Sequence, residues 1–322
     1  MYDAITFGSA TYDVFVRSSA LEAEGNGTPE TCLPLGSKVD VEEMDFDTGG
    51  GATNAAATFG RLGLRTAAVC AIGQDIQGRE ILRALRSDGV SPKFVQESTE
   101  DRTGCSIVIM SGSGERTILV HRGAGGSIDT DRIAWPKLKA RWFYVTSLGG
   151  NLELAEMIIN RAEAIGARVS WNPGNRELEA GLAELDRLLR RIDVLNLNRE
   201  EAATLSELSA EALPEIVEKL RRLPKRALVV TDGTNGAYAA EGRKTWRCPA
   251  LDVPRINTTG AGDAFGSGLV AGLIRHDEIR SALAVGILNS AGLVQHTGAK
   301  HGLLERFPSE TEIRQVIVES WK

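Results

Sequence analysis

Aromatic residues are scarce in this chain, at 5% of 322 residues, and cysteine and histidine number four each. Cys32, Cys70, Cys105 and Cys248 lie far apart and form no C-x-x-C pair, which argues against zinc and dithiol motifs. Each reads as a small core residue in a reducing compartment. No H-E-x-x-H occurs. No apolar run approaches the roughly 18 residues that span a bilayer, so no membrane partner is expected. The start, Met1-Tyr2-Asp3-Ala4-Ile5, lacks the basic segment and apolar stretch of a secretory signal, so the expectation is cytoplasmic. Charge of one sign is not massed either. The 37 Lys and Arg against 43 Asp and Glu leave a net −6, which argues against nucleic acid as a partner.

Glycine is plentiful, with 35 residues, and 42% of the chain is hydrophobic. The length suits one large domain or two moderate ones, with a core that needs no disulfide or metal. Strands are expected at Ala4–Ala10, Thr66–Gly73, Trp142–Leu148, Arg168–Asn172, Val194–Asn198 and Ala227–Thr231. Between them lie helical patterns at about Thr53–Leu62, Gly78–Ser87, Leu152–Ile165 and Leu182–Leu189, and one ending near Arg222. The strand runs are apolar on both faces. That argues for an α/β fold with a parallel sheet covered by helices. A hairpin, Ala237–Glu241 and Lys244–Cys248, turns at Gly242-Arg243. Helices follow at Asp263–Arg275, Ile279–Val294 and Glu310–Glu319. Two regions break this rhythm. Residues 11–47 have no helix pattern, and residues 103–122 alternate as Cys105–Met110 and Arg116–His121 around Ser111-Gly112-Ser113-Gly114. They are either surface excursions or a small β-lid at the C-terminal edge of the sheet, where α/β proteins bind ligands.

Two segments carry chemistry. Asn257-Thr258-Thr259-Gly260-Ala261-Gly262-Asp263-Ala264-Phe265 leads small residues into an apolar helix. Free amides and the positive helix end there make an anion site, with phosphate the obvious guest. Asp263 would repel that phosphate unless it serves as a base beside a transferring phosphoryl group. The rival reading is that Asp263 merely complements the helix dipole. Neither a Walker A loop nor G-x-G-x-x-G is present. The second segment is Asp47-Thr48-Gly49-Gly50-Gly51-Ala52-Thr53-Asn54-Ala55-Ala56-Ala57. Its glycines allow close backbone approach to a ligand, and Asn54 suits a hydroxyl-rich one. The rival is a loop-to-helix junction whose glycines serve packing.

Gly49–Gly89, with Gly-Gly-Gly-Ala-Thr-Asn-Ala-Ala and Ile72-Gly73-Gln74-Asp75-Ile76-Gln77-Gly78, resembles the N-terminal signature of the ribokinase-like (PfkB) sugar kinases. Asn257–Phe265 resembles their C-terminal signature, and the likeness runs from about Ala4 to Gly302. The resemblance implies one ribokinase-like domain over residues 1–322. Its three α/β/α layers would hold a mostly parallel sheet and carry lid segments at about 11–47 and 96–125. It implies ATP-dependent phosphorylation of a sugar-like hydroxyl. Asp263 would be the base, and Gly260, Ala261 and Gly262 the anion hole. It puts Asp13, Gly50, Gly51 and Asn54 at the acceptor, and Thr231, Gly233 and Gly236 along the nucleotide. Asn198 and Glu201 match an Asn-x-x-Glu that organises Mg²⁺ through water, with no direct metal ligand. Asn198 and Glu201 would also make a helix cap on their own.

One departure concerns Asn257, where the family commonly has an Asp that helps hold a monovalent cation. Asn keeps an oxygen but loses the charge, so dependence on that cation is not expected. The acceptor is a small molecule, a sugar or alternatively a nucleoside with Tyr12 and Phe15 beside its base. A non-catalytic sugar- or nucleotide-binding regulator is the rival from another class, and the intact Asp263, Asn198 and Glu201 argue against it. Acid sugars would need a cation such as Arg17, Lys38 or Arg116. Asn289, His296 and His301 are assigned no role. Lid-to-lid pairing would give a homodimer.

Overall fold

The computed structural model describes residues 1–18, 35–110, 116–126 and 128–321. Its main sheet has ten strands. In spatial order they are Glu319–Ser320, Lys244–Cys248, Ala237–Glu241, Ala227–Thr231, Val194–Asn198, Arg168–Trp171, Ala140–Val145, Tyr2–Phe7, Thr66–Val69 and Val90–Ser91. Pairing is parallel from Ala227–Thr231 through to Val90–Ser91, and antiparallel in the remaining three pairs.

Alternation along each strand feeds two separate cores. Ile5, Phe7, Phe143, Val145, Leu195, Leu197, Leu228 and Val230 pack with the helices Leu152–Ile165, Gly181–Leu189 and Leu213–Leu220. Ala4, Trp142, Tyr144, Val194, Ala227 and Val229 face the helices Ala261–His276 and Ile279–Leu293. A strand buried on both faces is apolar at most positions, with Thr6, Ser170 and Asn196 as buried polar exceptions, which is why these runs lack polar alternation. The helix pair Ala261–His276 and Ile279–Leu293 packs closely because a Cβ on Gly272 would lie 2.6 Å from Ala282 Cα. The result is three layers, helix, sheet and helix, as the sequence pattern implies.

A second sheet has the order Glu43–Gly49, Thr11–Arg17, Gly104–Met110, Arg116–His121. It therefore joins the two regions that broke the α/β rhythm. The hairpin tip Ser111–Gly114 and Cys32 lie outside the described residues. Cys70 and Cys248 are buried and Cys105 is half-buried, all three as free thiols. Among the described residues no helix is long and apolar enough to cross a membrane.

Several boundaries differ from expectation, among them Trp142–Leu148, which is seen as Ala140–Val145. The Thr66–Gly73 run is two strands: Thr66–Val69 stays in the main sheet, and Ala71–Gly73 pairs with Gln96–Ser98. The first strand stops at Phe7, because Gly8 turns at φ 148° where a side chain would meet Thr146. The last helix ends at Gln315, and Glu319–Ser320 adds a strand to the sheet edge.

Glu177 pins the loops at the C-terminal edge. It is fully buried, and its carboxylate accepts from Leu148 N at 2.7 Å, from Gly150 N and Gly174 N at 2.8 Å each, and from Ser147 Oγ at 3.1 Å. Glu177→Ala would strand the buried Leu148 amide, at a cost of about 1–3 kcal/mol, and leave the half-buried Gly150 and Gly174 amides to water. The expected loss of unfolding free energy is about 2–4 kcal/mol. A denaturant midpoint unchanged from wild type would refute this.

Candidate active site

The first wall forms where strand Glu43–Gly49 turns into helix Gly51–Arg61. Gly50 has φ 95°, and a Cβ there would lie 2.6 Å from Ser9 O. A Cβ on Gly51 would lie 2.6 Å from Thr146 Oγ1. The glycines thus serve packing of chain on chain, as the rival reading held. Ser9 Oγ accepts from Gly51 N at 3.2 Å. One turn into the helix, Asn54 is 5% exposed and donates from Nδ2 to Asp263 Oδ2 at 2.9 Å. Its Oδ1 is buried without a donor.

Asp263 stands in the first turn of helix Ala261–His276, which has no side-chain cap. Gly260 precedes it at φ 80°, and a Cβ there would come 2.8 Å from Ala299 Cβ. Asn257 Oδ1 accepts from Thr259 N at 2.6 Å, so the oxygen that Asn retains is engaged in shaping this loop. Asp263 is half-buried, and it lies outside the linings of the two cavities described below. Burial pushes its carboxyl above the usual range, against the Asn54 hydrogen bond and the charge of Lys300.

Beside these groups opens a cavity of about 580 Å³. Asn198, Thr231, Gly233, Gly236, Ala261 and Gly262 line it, which brings together predicted residues from three parts of the chain. Gly236 is needed there because a Cβ would overlap Cys248 O. Asn198 and Glu201 form a reciprocal cap: Glu201 N donates to Asn198 Oδ1 at 2.7 Å, and Asn198 N to Glu201 Oε2 at 2.8 Å. Glu201 lies outside the cavity lining. Burial raises its carboxyl, and the charges of Glu200 and Asp263 add to that. Among the described residues no group of three or more His, Cys, Asp or Glu could hold a metal directly. Carboxylates that repel one another around Glu201 do fit a hydrated dication, held at one remove.

The second sheet contributes Asp13, 6% exposed and in register with Asp47 and Ser106. Hydrogen bonds from the Ser106 and Thr11 side chains only partly offset the burial that pushes its carboxyl up. Asp13 Oδ1 is buried without a donor. A smaller cavity of about 280 Å³ lies between this sheet and residues 296–301, lined by Phe15, Asp45, Asp47, His296 and His301 among others. Phe15 is otherwise a core residue, and Tyr12 stacks obliquely on Phe46, with centroids 6.2 Å apart. Arg17 lies 3.6 Å from Glu43, Lys38 is exposed, and the side chain of Arg116 is outside the described residues. Asn289 is fully buried and bonded to Thr58, Ala264 and Leu304, a structural role.

Sequence reasoning missed Lys300, which is 4% exposed and donates from Nζ to Thr48 O at 2.6 Å and Thr48 Oγ1 at 2.7 Å. It also missed the buried Tyr144 hydroxyl and Asn196 Oδ1, both without partners, near Gly266. A lysine in a polar loop and a tyrosine in a strand carry no local signal for such placement.

A family profile described as pfkB family carbohydrate kinase matches residues 4–306. A fructokinase of Klebsiella pneumoniae is 31% identical over 71% of this chain and 77% of its own length. A ribokinase of Schizosaccharomyces pombe is 26% identical over 93% of this chain and 94% of its own. The solved structure of Arabidopsis thaliana ribokinase complexed with ribose and ATP superposes with a TM-score of 0.79 at 20% identity, covering 98% of each chain.

Two glycines of the phosphate-type loop should respond oppositely to a methyl group. Gly260→Ala meets both a left-handed backbone and Ala299, and should cost about 1–3 kcal/mol of stability. Gly262→Ala finds open space in a helix and should be neutral or slightly stabilising. Thermal melts of the two variants check the contrast, and equal midpoints would contradict it.

Proposed function

The chain belongs to the pfkB family of carbohydrate kinases, and we propose that it transfers the γ-phosphoryl group of ATP to a hydroxyl of a sugar-like acceptor. One observation carries this reading. Asp263 is hydrogen-bonded to Asn54 and stands at a helix start with no side-chain cap, where Ala261 and Gly262 line a cavity of about 580 Å³. The cavity is of the size that ligand sites have, and the Arabidopsis neighbour was solved with ATP.

Asp263 accepts the proton of the attacking hydroxyl as the new bond to phosphorus forms. Its raised affinity for protons makes it a stronger base than a solvated carboxylate. Amides at Gly260, Ala261 and Gly262 stabilise charge on the phosphoryl oxygens, Ala261 N first leaving Thr258 O, to which it donates at 3.2 Å. Thr231, Gly233 and Gly236 line the nucleotide. Asn198 and Glu201 would hold Mg²⁺ through water, and the cation would supply charge neutralisation at the phosphates. On the acceptor side, Asp13 and Asn54 each keep a buried oxygen without a donor. Sugar hydroxyls are natural donors to both. Gly50 and Gly51 shape that wall through packing. Asn257 offers no charge to a monovalent cation. The whole chain acts as one catalytic unit, with the second sheet as lid, and its free thiols suit the cytoplasm.

The outer lid face is apolar, with Met44, Phe46, Ile107 and Leu119 exposed. A second copy of the lid is its proposed occupant.

Two outcomes test these readings. With ATP, Mg²⁺ and a panel of pentoses, hexoses, sugar acids and nucleosides, one acceptor should stimulate ADP release. Asp263→Asn should lower that turnover by about 10²–10⁴-fold while still binding ATP. The wild-type rate should fall as pH drops through a limb above the ordinary Asp range, since the raised carboxyl must be ionised to act. Near-wild-type turnover by Asp263→Asn would sink the assignment. Separately, Phe46→Lys with Leu119→Lys should halve the mass in sedimentation, and a monomeric wild type would exclude the dimer.

A further inference from the structure

Residues 298–300 run between the two walls of the site. A Cβ on Gly298 would overlap Asp47 Oδ2, and Ala299 packs against Gly260. Lys300 then turns inward to Thr48, while its carbonyl oxygen accepts from Arg61 Nη1 at 2.8 Å. Arg61 in turn donates to Asp88 Oδ1 at 2.8 Å. One short stretch of chain therefore touches the acceptor wall at Thr48, the lid at Asp47 and the anion loop at Gly260.

The chemistry of the lysine is unusual for a purely structural residue. A buried ammonium is costly and normally pairs directly with a carboxylate. Here both of its hydrogen bonds go to neutral oxygens of Thr48. Several charged groups face it without bonding it. Asp47, Asp88 and Asp13 favour its charge, and Arg61 opposes it. Asp263 and Cys70 feel its field. Burial brings its pKa down to about 8.

We propose that Lys300 is a positioning residue for phosphoryl transfer. Its ammonium holds Thr48, and with it the Gly49–Gly51 turn, against the segment that seats Ala299 under Gly260. Asn54 and Asp263 are thereby kept at hydrogen-bonding distance. The catalytic part of this proposal rests on the reading of Asp263 as base. The structural part stands on contacts that do not involve it.

The test uses Lys300→Met, which keeps the length of the side chain, and Lys300→Arg, which keeps the charge. Hydrogen exchange comes first and needs no acceptor. Amides of residues 49–54 and 258–263 should lose protection in Lys300→Met and regain it in part in Lys300→Arg. Protection in helix Leu152–Ile165 should not change. Unaltered exchange at 49–54 and 258–263 overturns the proposal, whatever the enzyme phosphorylates.

Kinetics follow with the acceptor found in the panel. Lys300→Met should lower kcat/KM for that acceptor by about 10²-fold, the scale of an ångström misplacement. Its KM for ATP should stay within about 2-fold. The wild-type acceptor kcat/KM should decline as pH rises past about 8, where Lys300 loses its proton. Lys300→Arg should lack that alkaline limb. In Lys300→Met the acid limb set by Asp263 should move to higher pH, because the charge that lowers its carboxyl is gone. Unchanged limbs, or equal losses toward ATP and acceptor, would reduce Lys300 to a structural residue. If no acceptor is phosphorylated by the wild type, the kinase reading fails and the exchange data still decide the brace.

Discussion

The hydrogen bond from Asn54 to Asp263 spans 209 positions of sequence, and the rest of the site is arranged so that it can form. It joins the first turns of two helices that start at the same edge of the main sheet. The direction of the Gly51–Arg61 helix is set by the sheet, since a helix linking parallel strands must run back against them. Each helix enters through a glycine at positive φ, Gly50 and Gly260, where chain from elsewhere occupies the space of a side chain. Two positive helix ends are thus brought together with one carboxylate between them. The arrangement favours an anion and keeps a carboxylate beside it. A lone helix N-terminus offers the attraction without the carboxylate.

Burial then decides the electrostatics. Asp13 and Asp263 are pushed toward the protonated form, and Lys300 toward the neutral one, by the same exclusion of water. Their mutual attraction opposes both trends. Burial raises the Asp263 carboxyl, and the Asn54 hydrogen bond and then the Lys300 charge oppose that rise. Glu201 feels Asp263 as a like charge, so the nucleotide side of the site has the opposite need, for a cation from solution.

The α/β layering was legible because strands buried on both faces are apolar at most positions. The ends of Leu152–Ile165, Val194–Asn198 and the Ala237–Cys248 hairpin could be read directly from capping and turn residues. The two signature loops were legible because each concentrates glycine at a helix start. What the sequence left open was whether those glycines serve a ligand or the packing, and at Gly50, Gly51 and Gly260 the packing is demonstrable. Asn198 and Glu201 read as a cap and are one. The proximity of Glu201 to Asp263 depends on the sheet's strand order, which no local pattern encodes. Thr66–Gly73 looked continuous because all its residues are buried, yet they are buried in two different sheets. Lys300 was invisible for a related reason: its burial comes from strand Glu43–Gly49, near the other end of the chain.

The second sheet binds these points together. Asp13 belongs to that sheet and Asp263 to the main body, so an acceptor touching both must bridge two layers. The layers meet along the chain at Gly8–Ala10, and again where Glu43–Gly49 ends at Thr48 and Gly50. Both junctions pass over a glycine with positive φ, which holds no side chain against its neighbour. The buried contact between Lys300 and Thr48 fixes the second junction from the main-body side. The proposed positioning of an acceptor between Asp13 and Asp263 therefore draws on a residue that contributes to neither signature.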